Sequence, residues 1–410
     1  MKRIISEILS VLLVISFVLG ATACDKGGNT KKTPSQTSSA VSSETSGDNS
    51  SATSDTDTSS EENFVYDATT VEETVVVDNV RSIKTYENKW GVYEMLKSYT
   101  NRASKVSVDD FLPCVGYMHM GKITDTMFDT FVFLPSPTEE IGIEMDQNYI
   151  SDYINNSLYR DGFNINALEK ATEQVKNALG KPNYKVNVFL PLFRPLETVT
   201  NFGTYNGKAV NCSTESGRLE ALKWFIDEHI RIFKSKNFKN LNLVGFYWFD
   251  EYATKDNYAL IQKMNDYVHS KNYITVWSPF YTAGGYSDWK LMKFDIATMQ
   301  SNYFPANPDG LNAGGIDRLT TNAQLTELKG MGMEMEASDF NTNAGIRGFK
   351  ETMQSMLANG RIDFVHMYYI DNGPICVNEW YNNKTKYGQS VYHELHRFIK
   401  RTLKDDDIMF

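Results

Sequence analysis

From about residue 105 the chain alternates short apolar runs with longer amphipathic stretches. Residues 111–118, 128–134, 184–190, 241–249, 274–280, 294–303, 331–337 and 364–370 read as eight strands, each rich in branched or aromatic residues. The run from Asn242 to Glu251, NLVGFYWFDE, dominates the pattern: it stays uncharged until its last two positions, which are adjacent carboxylates. Such a run reads as a strand buried on both faces. Helical patterns lie between most of these strands. Residues 164–179 end at Gly180, and residues 213–235 put Leu219, Leu222, Phe225, Ile226, Ile230 and Phe233 on one stripe. Thr254 opens a helix carrying Leu260, Ile261, Met264 and Val268, and residues 324–328, 349–358 and 390–403 continue the alternation. Strands alternating with helices imply parallel pairing, because each parallel crossover takes about a dozen residues or more. Eight of them predict an α/β fold, a (β/α)₈ TIM-like barrel, with an open doubly wound sheet as the alternative. Only residues 119–127 separate the first two strands, too few for a helical crossover, so a degenerate first β/α unit is expected. Residues 63–104, with a strand-like run at 64–80 and a short helix at 92–99, read as a lead-in packed on a barrel domain spanning 105–410.

The amino terminus follows a different pattern. Lys2 and Arg3 precede a mostly apolar run at 8–19, and small residues follow, ending in Ala21-Thr22-Ala23-Cys24. A run of that length suits a signal peptide and is short for a bilayer span. The Cys after small residues resembles the lipobox of bacterial lipoproteins, although Ala21 stands where Leu is commonest. The resemblance implies that residues 1–23 are removed and that Cys24 is lipidated, anchoring the protein outside the cytoplasm on the bacterial cell membrane. Residues 24–62 are almost wholly small and polar, which predicts a disordered tether. The formal net charge is −10 and no basic cluster lies beyond the first residues, which argues against a nucleic-acid partner. With Cys24 lipidated, Cys114, Cys212 and Cys376 leave room for at most one disulfide. Their spacing gives no metal motif, His393 and His396 lack a third ligand, and no phosphate loop, dinucleotide fingerprint or nucleophile elbow occurs, so no cofactor or metal is expected.

The ends of the predicted strands carry the chemistry. Asp250 and Glu251 end the fourth, Trp277 and Tyr281 the fifth, Gln300, Asn302 and Tyr303 the sixth, and Tyr369 and Asp371 the eighth. In the seventh, Glu334 and Glu336 are two apart and share a face, with Met333 and Met335 on the other. Carboxylates in apolar strands are costly unless paired, so they form either a structural network or a site. In a parallel α/β fold the carboxyl ends of the strands are where sites are built. Tyr247 shares its face with Glu251. Tyr286 flanks the Gly284-Gly285 loop, where aromatics either pack in the core or stack on sugar rings.

Taken together, the segments 116–135, NLVGFYWFDE, TVWSPFYTAGGY, FDIATMQSNYFP and GMGMEMEAS resemble the uncharacterised bacterial family called domain of unknown function 4855, over roughly residues 85–402. That resemblance implies no activity. A looser one is to retaining glycoside hydrolase barrels, whose acid/base Glu ends the fourth strand and whose nucleophile Glu ends the seventh. It implies a carbohydrate substrate, Glu251 as acid/base and Glu336 as an ionised nucleophile held by neighbours such as Tyr369 or Asn302. Asp250 departs from that pattern, where Asn is usual. A non-catalytic carbohydrate-binding protein and a structural envelope protein with the same carboxylates remain alternatives.

Overall fold

Eight parallel strands close on themselves: β1 (Glu94–Thr100), β2 (Thr130–Pro135), β3 (Val186–Leu192), β4 (Leu241–Trp248), β5 (Ile274–Trp277), β6 (Ile296–Gln300), β7 (Gly332–Ala337) and β8 (His366–Ile370). Each pairs with the next, and β8 pairs with β1, which shuts the barrel and removes every sheet edge. The computed structural model describes residues 90–100, 103, 105–135, 145–305 and 314–410, together with the backbone of 74–76 and 82–84. The expected leader, Cys24 and the whole of the expected tether lie outside the described residues, as does most of the expected lead-in.

The strand cadence holds for seven strands and fails at the first. Residues 92–99, expected as a helix, contain all but the last residue of β1. Residues 111–118, expected as a strand, contain most of the helix Val108–Val115 and the first arm of a hairpin, Gly116–His119 with Lys122–Thr126. Both periodicities fit WGVYEMLKSY, and short apolar runs do not distinguish strand from helix. The local signal for the helix was present: the Ser107 side chain caps the Asp110 N–H at 3.3 Å, while Asp110 accepts the Ser107 N–H at 2.9 Å. The barrel therefore begins inside the segment assigned to the lead-in. Its first connection, residues 101–129, is irregular, a two-turn helix and a hairpin instead of one long helix. The other long helices cover the outside, among them Ile165–Ala178, Glu215–Lys236, Lys255–Ser270, Asp317–Lys329, Asn343–Ala358 and Lys386–Ile399. Between β5 and β6 a single 3₁₀ turn, Tyr286–Asp288, replaces the helix.

Two apolar layers follow from strand alternation. Outward residues such as Leu96, Phe131, Val188, Phe246, Met333, Met335 and Tyr368 pack against the helices. Inward residues Met95, Val132, Phe189, Val276, Ile296, Val365 and Met367 fill the amino-terminal half of the barrel. The inward positions change character toward the carboxyl ends: Lys97, Thr298, Gln300, Glu334 and Glu336 are all buried there. A barrel whose lower half is oil and whose upper half is charged concentrates its electrostatics at one end. In β4 the chain runs so close to β5 that a Cβ on Gly245 would meet the Ile274 carbonyl oxygen at 1.9 Å. The β4–β3 register shifts between Leu243 and Gly245. Glycine there lets the strand reach the mouth with Tyr247 inward and Trp248 outward.

Candidate active site

β7 delivers two carboxyls into the barrel, because Met333 and Met335 take the outward face of GMEMEA. Glu334 lies in the lower polar layer, opposite Gln300 in the β6 register. Its Oε1 meets the Lys97 ammonium at 2.6 Å, and both side chains are sealed, at 1% and 2% exposure. Its Oε2 is bonded to the Ser278 hydroxyl, to which Thr298 Oγ1 donates at 3.0 Å. Lys97 also lies 5.5 Å from the centre of the Tyr247 ring. Burial works against the lysine cation, but Glu334, Tyr99 and Glu251 outweigh it and hold Lys97 above its ordinary range.

Glu336 sits one step nearer the mouth, opposite Tyr369 in the β8 register. Its Oε2 accepts the Asn302 backbone N–H at 2.5 Å and the Ser301 hydroxyl at 3.0 Å. Burial and then the Glu334 charge push it up to about 8, against the opposing pull of those two donors and Lys97. Burial and Glu334 thus favour the protonated form of Glu336. Asn302 does donate to Glu336, through its backbone, while desolvation works against the expected ionised form.

Glu251 lies three residues past β4 and is half-buried. On balance its carboxyl stands above the ordinary range: burial raises it most, Lys97 pulls it down, Glu334 raises it, and a hydrogen bond from the Gln300 side chain favours its anion. Gln300 is itself fixed, donating from Nε2 to the Ser278 carbonyl at 3.2 Å and accepting Asn302 Nδ2 at 3.1 Å. Asn302 adopts a positive φ of 49° and accepts the Tyr281 N–H at 2.8 Å, so β6 and the loop after β5 hold each other. Two half-buried rings meet here: Tyr369, opposite Glu336, is met edge-on by Tyr99 from β1 at 5.9 Å. Tyr247 is buried in the layer below. Asp371 follows β8, with its carboxyl raised by burial and by Asp339 and Glu379.

Other expected site residues sit elsewhere. Asp250 turns to Arg194, which donates from Nε at 2.5 Å, so its carboxylate is an ion-pair partner. Trp277 is wholly buried on the outer face, stacked on Phe294 at 5.2 Å, and donates from Nε1 to the Asp250 carbonyl at 2.7 Å. It is a core residue that pins the end of β4, and no ring face is left for a ligand. Trp277→Phe, which deletes that bond and leaves a small void, is expected to cost about 1–3 kcal/mol in urea denaturation. Tyr281 lies under the Arg318 guanidinium, 4.7 Å from its ring centre. Tyr286 packs against the outer core, and Tyr303 donates to Glu351 Oε2 at 2.6 Å, on the helix after β7. His393 and His396 dock the hairpin: Tyr117 stacks on His396 at 3.6 Å and bonds His393 Nδ1 at 2.8 Å. Among the described residues no cluster of three or more His, Cys, Asp or Glu side chains is arranged to hold a metal.

Lys97, Tyr99, Ser278, Ser301 and Arg194 were not anticipated. Lys97 and Tyr99 did leave a signal, the alternation Met95-Lys97-Tyr99 against Leu96-Ser98, which puts a lysine on the inward face of an apolar strand.

Residues 94–397 match the model of one family, described as Domain of unknown function (DUF4855). No curated protein matches the chain. Similar solved structures include an intracellular xylanase from Thermoanaerobacterium saccharolyticum, 10% identical over 67% of this chain and 90% of that one, with a TM-score of 0.35. A broad specificity endoglucanase from Clostridium longisporum is 12% identical over 82% of this chain and 95% of its own, with a TM-score of 0.40. Malate synthase from Haloferax volcanii is 10% identical over 73% and 77%, with a TM-score of 0.35. Likeness at this level, reaching unrelated chemistries, says nothing about reaction or site.

Proposed function

The chain belongs to the DUF4855 family, which brings no established activity with it, and from the barrel mouth we propose that it is a carbohydrate-active barrel that hydrolyses glycosidic bonds. The observation that carries this reading is the pair Glu251 and Glu336, from the ends of β4 and β7, electrostatically linked through the same Lys97 and Glu334. Glycoside hydrolysis needs one carboxyl that donates a proton and one that is ionised. Burial and Glu334 raise both carboxyls and Lys97 lowers both; they differ in what they accept, the Gln300 side chain at Glu251 and the Ser301 hydroxyl and Asn302 N–H at Glu336. The supported assignment reverses the one implied by resemblance. Glu336, protonated at rest, gives its proton to the leaving oxygen. Glu251, raised by burial but given a hydrogen bond by Gln300 and a counter-charge by Lys97, attacks the anomeric carbon as its anion. Glu336, now a carboxylate, takes a proton from the water that displaces Glu251, and the cycle closes with net retention. Tyr99 and Tyr369 offer aromatic surface to a sugar face, and Gln300 and Asn302 offer amides to its hydroxyls.

A screen of glycans and chromogenic glycosides, with Glu251→Gln as control, tests the reading. Turnover by the wild type that is lost in the variant supports it. Glycan binding without turnover favours a non-catalytic binding protein, and neither binding nor turnover overturns both.

Location is a separate proposal, supported by the short apolar run, the small residues before Cys24 and the polar stretch after it. The protein is a lipoprotein held at the cell membrane with its barrel on a tether. Expressed in a bacterial host, it should partition into the detergent phase, and Cys24→Ala should be released or remain uncleaved. Unchanged lipid labelling of Cys24→Ala would refute the anchor.

A further inference from the structure

The layer beneath Glu336 has a feature that hydrolysis by two carboxyls does not require. Lys97 and Glu334 form an ion pair at 2.6 Å with side chains 2% and 1% exposed. Nothing about filling a barrel calls for it, since an apolar pair of similar volume is as stable or more so. Both Glu334 oxygens are tied down, one to Lys97 and one to Ser278, so the charge cannot swing away from its place. Glu334 and Glu336 lie on one face of one strand, and two residue rises put the carboxyl-bearing positions roughly 7 Å apart.

We propose that Lys97 and Glu334 are positioning residues: their pair fixes a negative charge beneath Glu336 and thereby keeps the proton on Glu336. The consequence for turnover rests on the hydrolase reading above, whereas the placement of the proton does not. The titratable and charged groups acting on Glu336 are Lys97 from β1, Glu334 from β7 itself and Tyr369 from β8, while Tyr99 from β1 and Tyr247 and Glu251 from β4 act on that Lys97–Glu334 layer. The β6 neighbours Gln300, Ser301 and Asn302 are neutral donors and acceptors. Among the charges, Glu334 acts most strongly on Glu336, and Lys97 opposes it more weakly. Lys97 and Ser278 thus pin the Glu334 carboxylate in place beneath Glu336. A purely structural pair would hold the barrel without moving this proton.

The test is the titration of Glu336, followed by carbon-13 NMR of side-chain-labelled glutamate and assigned with Glu336→Gln. In Glu334→Gln the Glu336 carboxyl should titrate at least one pH unit lower than in the wild type. In the double variant Lys97→Met/Glu334→Gln it should lie between those two. The double variant leaves no unpaired buried charge, so it answers even where Glu334→Gln alone does not fold. A Glu336 titration within 0.3 units of wild type in the folded variants overturns the proposal. The readout needs no substrate, which separates the two ideas. A shifted titration in a protein without turnover keeps the pair's role and removes the hydrolase reading. An unshifted titration in an active enzyme does the reverse.

Discussion

Glu336→Gln should fold, retain glycan binding and lose roughly 10²–10⁴-fold in kcat, the range for removing a general acid. In the wild type, kcat/KM should fall as pH rises through about 8, because only protonated Glu336 can donate. The residual activity of the variant should lack that alkaline limb. Stability supplies a second readout. The folded protein holds this carboxyl at about 8 against an ordinary 4.5, so it binds the proton more tightly than the unfolded chain does. That contribution is complete below about pH 4.5 and is lost as pH rises toward 8, for a total on the order of 3–5 kcal/mol. Urea denaturation at pH 5 and pH 8 measures it. The decline attributable to this group should vanish in Glu336→Gln, whose amide does not titrate. A variant with wild-type turnover would remove Glu336 from the mechanism.

Lys97→Met is expected to be the most destabilising single change at the mouth. It leaves Glu334 in a dry layer without its counter-ion, and breaking a buried pair from one side costs about 3–5 kcal/mol. Adding Glu334→Gln should return most of that loss, because the two substitutions share one interaction and are not additive. Equilibrium denaturation of the wild type, both single variants and the double variant gives the coupling directly. If Lys97→Met costs less than about 1 kcal/mol, the pair is not buried as the structure has it, and the case for a fixed charge under Glu336 falls with it.

Much of the molecule was legible along the chain, because strand periodicity is a local property. Seven of the eight barrel strands show as apolar runs, and GMEMEA alone assigns Glu334 and Glu336 to one face. NLVGFYWFDE likewise places Glu251 just beyond a buried strand. The first strand was not legible. Glu94–Thr100 is short, bears a lysine at its centre and fits a helix equally well, so its pairing with β2 and β8 decides it. Tertiary context overriding local pattern is usual for such short segments.

The sequence by itself determined the alternation of strands and helices, the carboxylates at strand ends, and which neighbours in a strand share a face. These depend only on backbone period and on side chains a few residues apart. Closure of the barrel decided the rest, by joining residues far apart in the chain. It set Lys97 against Glu334, 237 positions away, and so fixed the charge near Glu336. It turned Trp277 into core and Asp250 into the partner of Arg194, because outward positions are covered by helices and loops whose placement no local pattern specifies. It also raised the Glu336 carboxyl, because burial and the field of neighbouring charges exist only once the strands have assembled.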